Sequence, residues 1–524
     1  MNARDQVADI VIVGAGASGS VMAAELAGAG RRIVILESGP PWSPKDLYNS
    51  QLWSRRLRWG GPAVRGGGQH PFSHNFNIGW GFGGTALHHY ACWPRMAIED
   101  FREHSLYGRG ADWPLDYDAL RPFYDRIQHE VGISGDADKE IWRPPGAPYP
   151  MGPLATFRHG ELIAEGFAKL GLATSPQPMA INSEPYGGRP ACQYDGWCDS
   201  GCAILALAHP LALYLPKAIA RGVELRSHVS ATRVLTDATT RKANGVEYAD
   251  AQGIKRILRA KLVILAANAI QNARLLLNSG NSAKSDGLAN GSGLVGRRFM
   301  YHSNVSLVGE FNEETQNYAG PVAGTLHSRE GYGKVSRQGN IYGSSMWHIG
   351  LAIKPNDVLG MANWHNRLIG ADLKDFLEHR APRMANLVSL CQMSARDENR
   401  IELTSERDRN GVPLARVTTS LDENDFALRQ STENLGLRIM NAAGAKDAWV
   451  AGYGSSHALG GTPMGLDPKT SVTDEYGFTH DVENLVLAGA GLYPTAGAVN
   501  PTFTIHAIAQ RSAEHIGRHW ASLS

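Results

Sequence analysis

Five cysteines in 524 residues are too few for a disulfide-stapled fold, and no apolar run approaches the roughly 18 residues that cross a bilayer as a helix. Lysine and arginine number 51 against 50 aspartates and glutamates, so no net positive field attracts nucleic acid or an anionic membrane. The first residues, MNARDQVADIVIVG, lack the apolar core of a secretory signal. We therefore expect a cytoplasmic globular protein, unless a signal-bearing partner subunit exports it.

The clearest pattern present is a strand, a glycine turn and a helix near the start of the chain. Apolar residues at Ile10–Val13 predict a buried parallel strand. Gly14, Gly16 and Gly19 then give the sequence G-x-G-x-x-G. Small residues at Ser20–Ala29 predict a helix that packs closely on the strand.

Each part of this unit has a physical role in binding a dinucleotide. Gly14 permits a tight turn, Gly16 admits a pyrophosphate close to the backbone, and Gly19 lets the helix lie close on the strand. The positive end of the helix attracts the phosphates. A second predicted strand, Ile33–Leu36, leads to Glu37, 23 residues beyond Gly14, whose carboxylate can accept hydrogen bonds from a ribose. We therefore predict a dinucleotide site.

The remaining elements are predicted from hydrophobic periodicity and turn residues. The chain has 59 glycines, and a cluster of them at Trp59–Gly84 predicts a loop that is either solvated or lies against a ligand. Helices are predicted at Asp118–Val131, Glu161–Leu170, Ala203–Ala220 (in pieces), Asn268–Asn278, Glu423–Ala442 and Thr504–His519. Strands are predicted at Val223–Leu225, Thr232–Leu235 and Gly245–Tyr248 (as a meander), Lys261–Ala266, Val305–Val308, Met346–Ile353, Ala385–Leu390, Arg400–Leu403, Leu414–Thr418 and Glu483–Ala490.

The alternating strands after residue 303 predict a second domain with a mainly antiparallel sheet, whose face toward the nucleotide domain forms the substrate wall. The fold class is therefore α/β, with a Rossmann-like domain and an α+β second domain. We predict that residues 1–95, 203–302 and 451–524 form the nucleotide-binding domain. Residues 96–202 and 303–450 are predicted to form the substrate-binding domain and connecting segments.

Several segments together resemble one family, the glucose–methanol–choline (GMC) flavin oxidoreductases. They are VGAGASGSVMAAELAGAGRRIVILESG, GWGFGGTALHHYACWPR, LAANAIQNARLLLNSG, GLANGSGLVGRRFMYH, DENRIELT, SSHALGGTPMG and LYPTAGAVNPTFTIHAIAQRSAEHI. The resemblance implies FAD rather than NAD at the glycine turn, and oxidation of an alcohol or sugar. The HHYACWPR stretch and the cysteine segment look most like the pyranose oxidases and the gluconate or glucoside dehydrogenases.

Two residues match the catalytic pair of that family. His457 stands in SSHALGGTPMG and Asn500 in AVNPTFT. Alcohol oxidation requires a base that takes the hydroxyl proton while hydride leaves the carbon for flavin N5, and imidazole titrates in a suitable range. The resemblance implies that His457 is this base and that Asn500 orients the hydroxyl.

The resemblance also implies a set of cofactor-binding residues and no metal ligand. The set is Gly14, Gly16, Ala17, Ser18, Gly19, Glu37, Gly83, Gly84, Thr85, His88, Ala267, Gly489, Ala490, Pro501 and Thr502. The stretch Leu487–Gly491 lacks an aspartate that similar proteins place near the cofactor, so backbone amides are expected to serve there.

His88 follows Gly83, Gly84 and Thr85, where similar pyranose oxidases carry a histidine that is covalently joined to the flavin. Such a bond would raise the flavin's reduction potential and prevent its dissociation. The alternatives are that His88 packs against the flavin without a bond, or that His89 takes its place.

Cys192, Cys198 and Cys202 are spaced C-x5-C-x3-C. Some similar sugar dehydrogenases hold an iron–sulfur cluster on three closely spaced cysteines, which would give electrons an exit from the flavin. Those segments usually follow the last cysteine with proline, whereas Ala203 follows here. We therefore favour a tight loop of packed thiols over a cluster.

The expected function is FAD-dependent oxidation of a hydroxyl of a sugar, glycoside or other alcohol to a carbonyl. The alternatives are an oxidase of aromatic or aliphatic alcohols, a flavin-retaining lyase of the same fold, and a non-enzymatic binding protein. The electron acceptor is oxygen, a quinone or an electron-transfer protein. Aromatic residues that could line the substrate site are Trp80, Trp93, Trp347, Trp364 and Tyr493, although packing in the core explains most of them equally well.

Overall fold

The computed structural model describes residues 7–58, 60–237, 241–280, 286–333 and 341–523, apart from the side chains of residues 75–76 and 364–366. The strands are β1 Val7–Val13, β2 Ile33–Leu36, β3 Val64–Gly67, β4 Ser175–Pro176, β5 Glu224–Arg226, β6 Ser230–Thr236, β7 Ala243–Ala249, β8 Lys255–Leu265, β9 Met300–Glu310, β10 Leu326–Ser328, β11 Ser345–Ile349, β12 Met384–Cys391, β13 Arg400–Arg407, β14 Pro413–Thr418, β15 Asp447–Leu459 and β16 Leu485–Leu487. The α-helices are α1 Ala17–Leu26, α2 Gln51–Arg56, α3 His74–Asn77, α4 Glu103–Tyr107, α5 Tyr117–Val131, α6 Arg158–Lys169, α7 Tyr214–Ala220, α8 Asn268–Asn278, α9 Pro355–Asn366, α10 Gly370–Asp375, α11 Glu423–Ala442, α12 Thr502–Arg518 and α13 Trp520–Leu523.

The first sheet carries the nucleotide-binding unit. Its strand order is β5-β2-β1-β8-β7-β6, and β16 also pairs with β8. Strand β1 lies parallel to both β2 and β8, with Val11 paired to Val34 and to Val263. Helix α1 packs against this sheet and against α12. Because these strands are buried on both faces, their sequences are continuous apolar runs, which confirms the predicted α/β class.

The second sheet is mainly antiparallel, as predicted, with the order β15-β9-β12-β11-β10-β4. Alternate residues of a strand point to opposite faces. The odd-numbered residues of β9 and β11, such as Val305, Leu307 and Trp347, therefore share one face and pack in a buried cluster with Phe167 of α6 and Ile439 of α11. The even-numbered residues face the other way: Met346 packs in the core of the first sheet, and Val308 packs with Phe376 and Trp449. The predicted domain bounds remain predictions.

The third sheet contains the predicted hairpin of β13 and β14, to which β3 adds in parallel. Strand β3 and the short helix α3 lie within Trp59–Gly84, so the prediction of a loop throughout is wrong; Trp59 itself lies outside the described residues. Strand β3 pairs only with β14 among the described strands. An edge strand needs one partner and little side-chain packing, so glycine is tolerated there.

The helix predictions are confirmed for α8 and α11 at both ends. The predicted Ser20–Ala29 helix is shifted: α1 begins at Ala17 and ends at Leu26, because Gly28, Ala29 and Gly30 take left-handed backbone conformations. Of the predicted helical pieces at 203–220 only α7 forms a helix, and Pro210 explains why none precedes it.

The predicted meander is confirmed for β6 and β7, which continue into β8. It is wrong for β5, which pairs in parallel with β2 at the sheet edge. Strand β8 is also longer than the predicted Lys261–Ala266. Its first half alternates exposed and buried residues and so lacks the continuous apolar run by which the second half was identified.

Candidate active site

A cavity of 630 Å³ opens at the carboxyl ends of four parallel strands. Gly14 follows β1, Glu37 follows β2, Ala267 follows β8 and Gly489 follows β16, and all four residues line it. The opposite wall is the inward face of the second sheet. The carboxyl edge of a parallel sheet is the usual place for a ligand in such folds. The cavity is also lined by the predicted residues Gly16, Ala17, Ser18, Gly84, Thr85, His88, Ala490, Pro501, Thr502, His457 and Asn500.

The glycine turn shapes the phosphate end of the cavity. Gly14 has a φ of +104°, and a Cβ placed there would lie 2.6 Å from the Ala266 carbonyl oxygen. A Cβ on Gly19 would lie 2.1 Å from the Gly14 carbonyl oxygen. Gly19 therefore does not line the cavity; it lets α1 lie close on the strand, which is the role that the sequence pattern predicted.

The first turn of α1 is built to receive an anion. Its N-cap, Gly16, makes no side-chain capping bond, and the first turn holds no acidic residue. The free backbone N–H groups of Ala17 and Ser18 therefore face the cavity with the positive end of the helix. A pyrophosphate fits this arrangement.

Glu37 lies at the end of β2, where a ribose is expected. The Ala15 N–H donates to Glu37 Oε2 (3.0 Å), and the Gly39 N–H donates to Oε1 (2.8 Å). Burial raises the pKa of this carboxyl, while the backbone donors oppose the rise. The Gly81 N–H and the Ser38 side chain also hydrogen-bond to this carboxylate, and Glu37 lines the cavity at the place where a ribose is expected.

A second glycine turn lies against the first. The Gly83 N–H donates to the Ala15 carbonyl (3.0 Å), and Gly83 does not line the cavity. A Cβ on Gly84 would lie only 3.1 Å from Gly16 Cα. Gly83 thus fixes the turn. Gly84 lines the cavity beside Gly16, and the lack of a side chain at both positions leaves room there for an extended dinucleotide such as FAD.

A β-bulge directs His457 into the cavity. Ser456 pairs with His302 of β9, but Leu459 pairs with Met300, so β15 contains one more residue than its partner at this point. His457 lies in this bulge with a φ of +64°. Bulges commonly re-aim a side chain next to an active site. Here the bulge turns the imidazole from the sheet toward Asn500.

The hydrogen bonds behind His457 fix its tautomer. His302 Nε2 lies 3.1 Å from the Gly497 carbonyl oxygen, which only accepts, so Nε2 carries the proton of the neutral ring. His302 Nδ1 is then an acceptor and lies 2.8 Å from His457 Nδ1, which must be the donor. His457 Nε2 is therefore left as an unprotonated nitrogen at the cavity.

The ring of His457 is held neutral as well as oriented. Burial lowers its pKa well below the ordinary value, and His302 and His348 would repel a positive charge there. Burial also lowers the pKa of His302 to about 4. A neutral imidazole with a free Nε2 is a proton acceptor, which is what a general base requires. His302 was missed by the sequence reasoning, although it ends the segment GLVGRRFMYH.

Asn500 reaches the same point from the loop between β16 and α12. Its Nδ2 lies 3.5 Å from His457 Nε2. Its Oδ1 has no hydrogen-bond partner within the described part of the chain. A hydroxyl oxygen against both groups could accept from Asn500 Nδ2 and donate to His457 Nε2.

His88 and His89 have different surroundings. His89 Nε2 bonds to the Ala208 carbonyl (2.9 Å), and Trp93 Nε1 donates to His89 Nδ1 (3.4 Å). His88 is buried at the cavity, and its Nε2 has no partner among the described residues. Burial lowers the pKa of His88 well below its ordinary value, and Arg58 adds to this effect. Of the two rings, His88 has a nitrogen available to a ligand.

Most of the aromatic residues that we predicted for the substrate site lie elsewhere. Trp80 lines the cavity. Trp347, Trp93 and Tyr493 are buried in the core, where Trp93 packs on His506 and Tyr493 on Trp113, so core packing is the alternative that holds for these three. The side chain of Trp364 is not among those that the structure describes.

The three cysteines of the C-x5-C-x3-C segment are free thiols with restricted access to solvent. Burial raises the pKa of Cys192 to about 11 and that of Cys198 well above its ordinary value. In the ranges that the structure describes, no group of three or more His, Cys, Asp or Glu side chains is arranged to hold a metal ion. The preference for packed thiols remains a prediction.

Among the helices that the structure describes, none combines the length and apolar character needed to cross a bilayer.

Known proteins show the same organisation. The GMC oxidoreductase family matches residues 8–304 with its N-terminal part and residues 395–509 with its C-terminal part. The chain is 30% identical to the 2-methyl-1,2-propanediol dehydrogenase of Mycolicibacterium austroafricanum, over 98% of this chain and 96% of that protein. It is 31% identical to the paromamine 6'-oxidase of Streptomyces fradiae, over 98% of this chain and 92% of that protein. Pyridoxine 4-oxidase from Mesorbium loti has a TM-score of 0.71 at 16% identity, over 98% of this chain and 99% of that one. The chain therefore belongs to the GMC oxidoreductase family, whose members use FAD to act on CH–OH groups.

Proposed function

We propose that this enzyme oxidises a hydroxyl of a sugar, glycoside or other alcohol to a carbonyl, with His457 as the base and Asn500 as the group that orients the hydroxyl. The observation that carries the proposal is the unprotonated Nε2 of His457, which the Gly497–His302 chain of hydrogen bonds leaves facing the cavity beside Asn500. FAD, when bound, supplies the hydride acceptor.

The residues of the chain perform the other parts of the reaction. Asn500 Nδ2 donates to the substrate oxygen and holds it against His457, so that the hydroxyl proton points at Nε2. His457 takes that proton, and His302 accepts the hydrogen bond from Nδ1 throughout. The apolar side chains of Leu351, Val388 and Leu390 line this end of the cavity and exclude water from the reacting carbon.

An anaerobic titration tests the proposal. The purified protein is mixed with sugars, glycosides, short diols and aromatic alcohols while absorbance is followed at about 450 nm, where oxidised flavins absorb. We expect at least one alcohol to bleach this band. A yellow protein that no alcohol bleaches would overturn the proposal and favour a lyase, and a protein that stays colourless with added FAD would favour a binding role.

We propose a sugar or glycoside as the substrate class, with aromatic and aliphatic alcohols as the alternative. The support is the resemblance of the HHYACWPR stretch and the cysteine segment to pyranose oxidases and to gluconate or glucoside dehydrogenases; the relatives above are named for a propanediol and for paromamine. They also include a dehydrogenase and an oxidase. Readmission of air to the bleached protein therefore decides the acceptor: return of the band within seconds indicates oxygen, and persistence indicates a quinone or an electron-transfer protein.

The rate of flavin reduction at low substrate concentration should be insensitive to pH well into the acid range. Only neutral His457 accepts a proton, and burial lowers its pKa, so the neutral form persists as the pH falls through the ordinary histidine value of about 6.5. We expect a plateau from pH 8 to below 6.5 and a decline only beneath it. A half-maximal rate at or above pH 6.5 would contradict this assignment of the base.

We also propose that His88 Nε2 would bond covalently to a methyl carbon of the flavin ring: a C–H bond of that methyl group would be lost, its proton would leave, and its electron pair would reduce the flavin, which the enzyme's electron acceptor would reoxidise. The support is the buried and neutral Nε2 of His88 at the cavity, which has no hydrogen-bond partner in the described part of the chain, together with the ring of His89, whose two nitrogens are both hydrogen-bonded. Acid precipitation should leave the yellow colour in the pellet of the wild-type protein and release it from His88→Ala. Colour in the wild-type supernatant would show that His88 only packs against the cofactor.

A further inference from the structure

The loop between β16 and α12 carries the acceptor that orients His302. The Gly497 carbonyl oxygen lies 3.1 Å from His302 Nε2. Burial lowers the pKa of His302, while the backbone of Gly497 and that of Ala496 in the same loop oppose the fall. Which nitrogen of His302 carries the proton therefore depends on where this loop lies.

Tyr332, in the turn after β10, holds this loop. The Ala498 N–H donates to the Tyr332 hydroxyl oxygen (3.1 Å), and the Tyr332 hydroxyl donates to Asp100 Oδ2. Burial and the neighbouring Asp100 carboxylate raise the pKa of Tyr332 well above its ordinary value, so the hydroxyl keeps the proton that it donates. One chain of hydrogen bonds thus connects Asp100 to the residue that follows Gly497.

Asp100 is fully buried and is itself fixed in place. Its Oδ2 also accepts from the Ala97 N–H (3.2 Å), and its backbone carbonyl accepts from Thr495 Oγ1 (3.4 Å). Gly497 has a φ of +61°, and a Cβ there would lie 2.8 Å from Asp100 Oδ2 and 3.2 Å from the Tyr332 hydroxyl oxygen. The loop therefore packs directly on Asp100 and Tyr332, with no room for a side chain between them.

The position of the Gly497 carbonyl decides the tautomers of two histidines. With this acceptor in place, His302 carries its proton on Nε2, and its Nδ1 accepts from His457 Nδ1. If the carbonyl moves away, His302 can carry the proton on Nδ1, and His457 Nδ1 must then accept. The proton of the neutral His457 ring would lie on Nε2, which faces the cavity, so the ring could no longer take a proton from the substrate there.

We infer that Tyr332 is a positioning residue: anchored on Asp100, it holds the Gly497 carbonyl against His302 and so keeps His457 in the tautomer that accepts a proton. Tyr332 does not line the cavity, so its effect on the substrate is indirect. The inference rests on the proposed function and adds the residue that maintains its base.

Flavin reduction in the FAD-bound enzyme tests the inference. Tyr332→Phe keeps the ring and removes the hydroxyl. We expect the rate constant of anaerobic flavin reduction at saturating alcohol to fall about 10- to 100-fold, because misplacement of a reacting group has effects of this size. The alcohol concentration that gives half of the maximal rate should change little, because only the proton acceptor is altered.

Tyr342→Phe is the matched control. The Tyr342 hydroxyl also donates to a buried carboxylate, that of Glu103 (2.6 Å), but it lies outside the chain of hydrogen bonds to Ala498. Its removal should leave the rate constant within a few-fold of the wild-type value. A loss as large as that in Tyr332→Phe would overturn the inference.

Two further backgrounds show through which residue Tyr332 acts. In His302→Phe, the additional change Tyr332→Phe should have no further effect, and in Asn500→Ala it should have its full effect. An effect that disappears with Asn500 instead would show that Tyr332 positions that amide. An equal effect in both backgrounds would show a general structural role. Either result overturns the inference.

NMR of the FAD-bound enzyme with isotope-labelled histidine gives a measurement that needs no substrate. Protonated and unprotonated ring nitrogens have separate resonances, and the pair that disappears in His302→Phe belongs to His302. We expect Nε2–H in the wild type and in Tyr342→Phe, and a mixture of tautomers in Tyr332→Phe. An unchanged tautomer in Tyr332→Phe would overturn the inference even in an active enzyme. If no alcohol bleaches the wild-type flavin, the proposed function fails, and the spectrum still decides whether Tyr332 sets the tautomer.

Discussion

Replacement of His457 by alanine is expected to lower the rate constant of flavin reduction by alcohol about 10²- to 10⁴-fold, the usual contribution of a general base. FAD should stay bound, because His457 contributes to the end of the cavity beside Asn500 and not to the phosphate end. The backbone at a φ of +64° should tolerate the change, since alanine, like histidine, carries only a Cβ next to the main chain and is not β-branched. Anaerobic stopped-flow absorbance gives the rate constant.

His519→Ala is the matched control. This histidine is exposed at the end of α12 and does not line the cavity, so its removal should leave the rate constant unchanged. An His457→Ala enzyme that reduces its flavin within a few-fold of the wild-type rate would show that another group takes the proton.

Substitution of Gly16 by valine is expected to abolish FAD binding while the protein still folds. Gly16 has a φ of −80°, which any residue adopts, and a Cβ there would meet only Gly84 Cα at 4.0 Å. The valine side chain would instead project into the cavity at the start of α1, where the pyrophosphate must lie. At an N-cap this change should lower the free energy of unfolding of the FAD-free protein by no more than about 1 kcal/mol.

The measurements are the ratio of flavin to protein absorbance after incubation with excess FAD, and urea unfolding of the FAD-free protein. Gly152→Val is the control, because Gly152 is exposed and a Cβ there would meet nothing within 4 Å. A yellow Gly16→Val protein would place the cofactor elsewhere. An unfolded one would show that Gly16 is needed for folding rather than for binding.

The parts of the fold that depend on local sequence were predictable. The β1–α1–β2 unit is specified by an apolar run, three glycines and a terminal acid within one short stretch, and α11 by periodicity with a capping aspartate at Asp422. Edge strands were less predictable. Strand β3 lies in a glycine-rich segment that does not itself indicate a strand, and it forms because β14, more than 300 residues later, pairs with it.

The site was predictable only where a local motif marks it. His457 and Asn500 stand in recognisable segments, but their supporting residues do not. His302 meets His457 across 155 residues, and His348 meets Gln177 across 171. Each looks locally like an ordinary strand residue. Trp347 and His348 show the difficulty directly: they are adjacent in sequence, yet one is in the core and the other is at the cavity, and only the register of β11 decides which.

On the even-numbered face of the second sheet, the residues that orient His457 and the residues that form an apolar wall lie on different strands. The bonds that orient His457 run along β9 and β15, whereas the apolar wall formed by Val388 and Leu390 stands on β12. A substitution in that wall changes the space available to a substrate and leaves the hydrogen bonds of His457 unchanged. Single substitutions in the wall during evolution can therefore change which alcohol fits the cavity. The residues that take the hydroxyl proton remain the same.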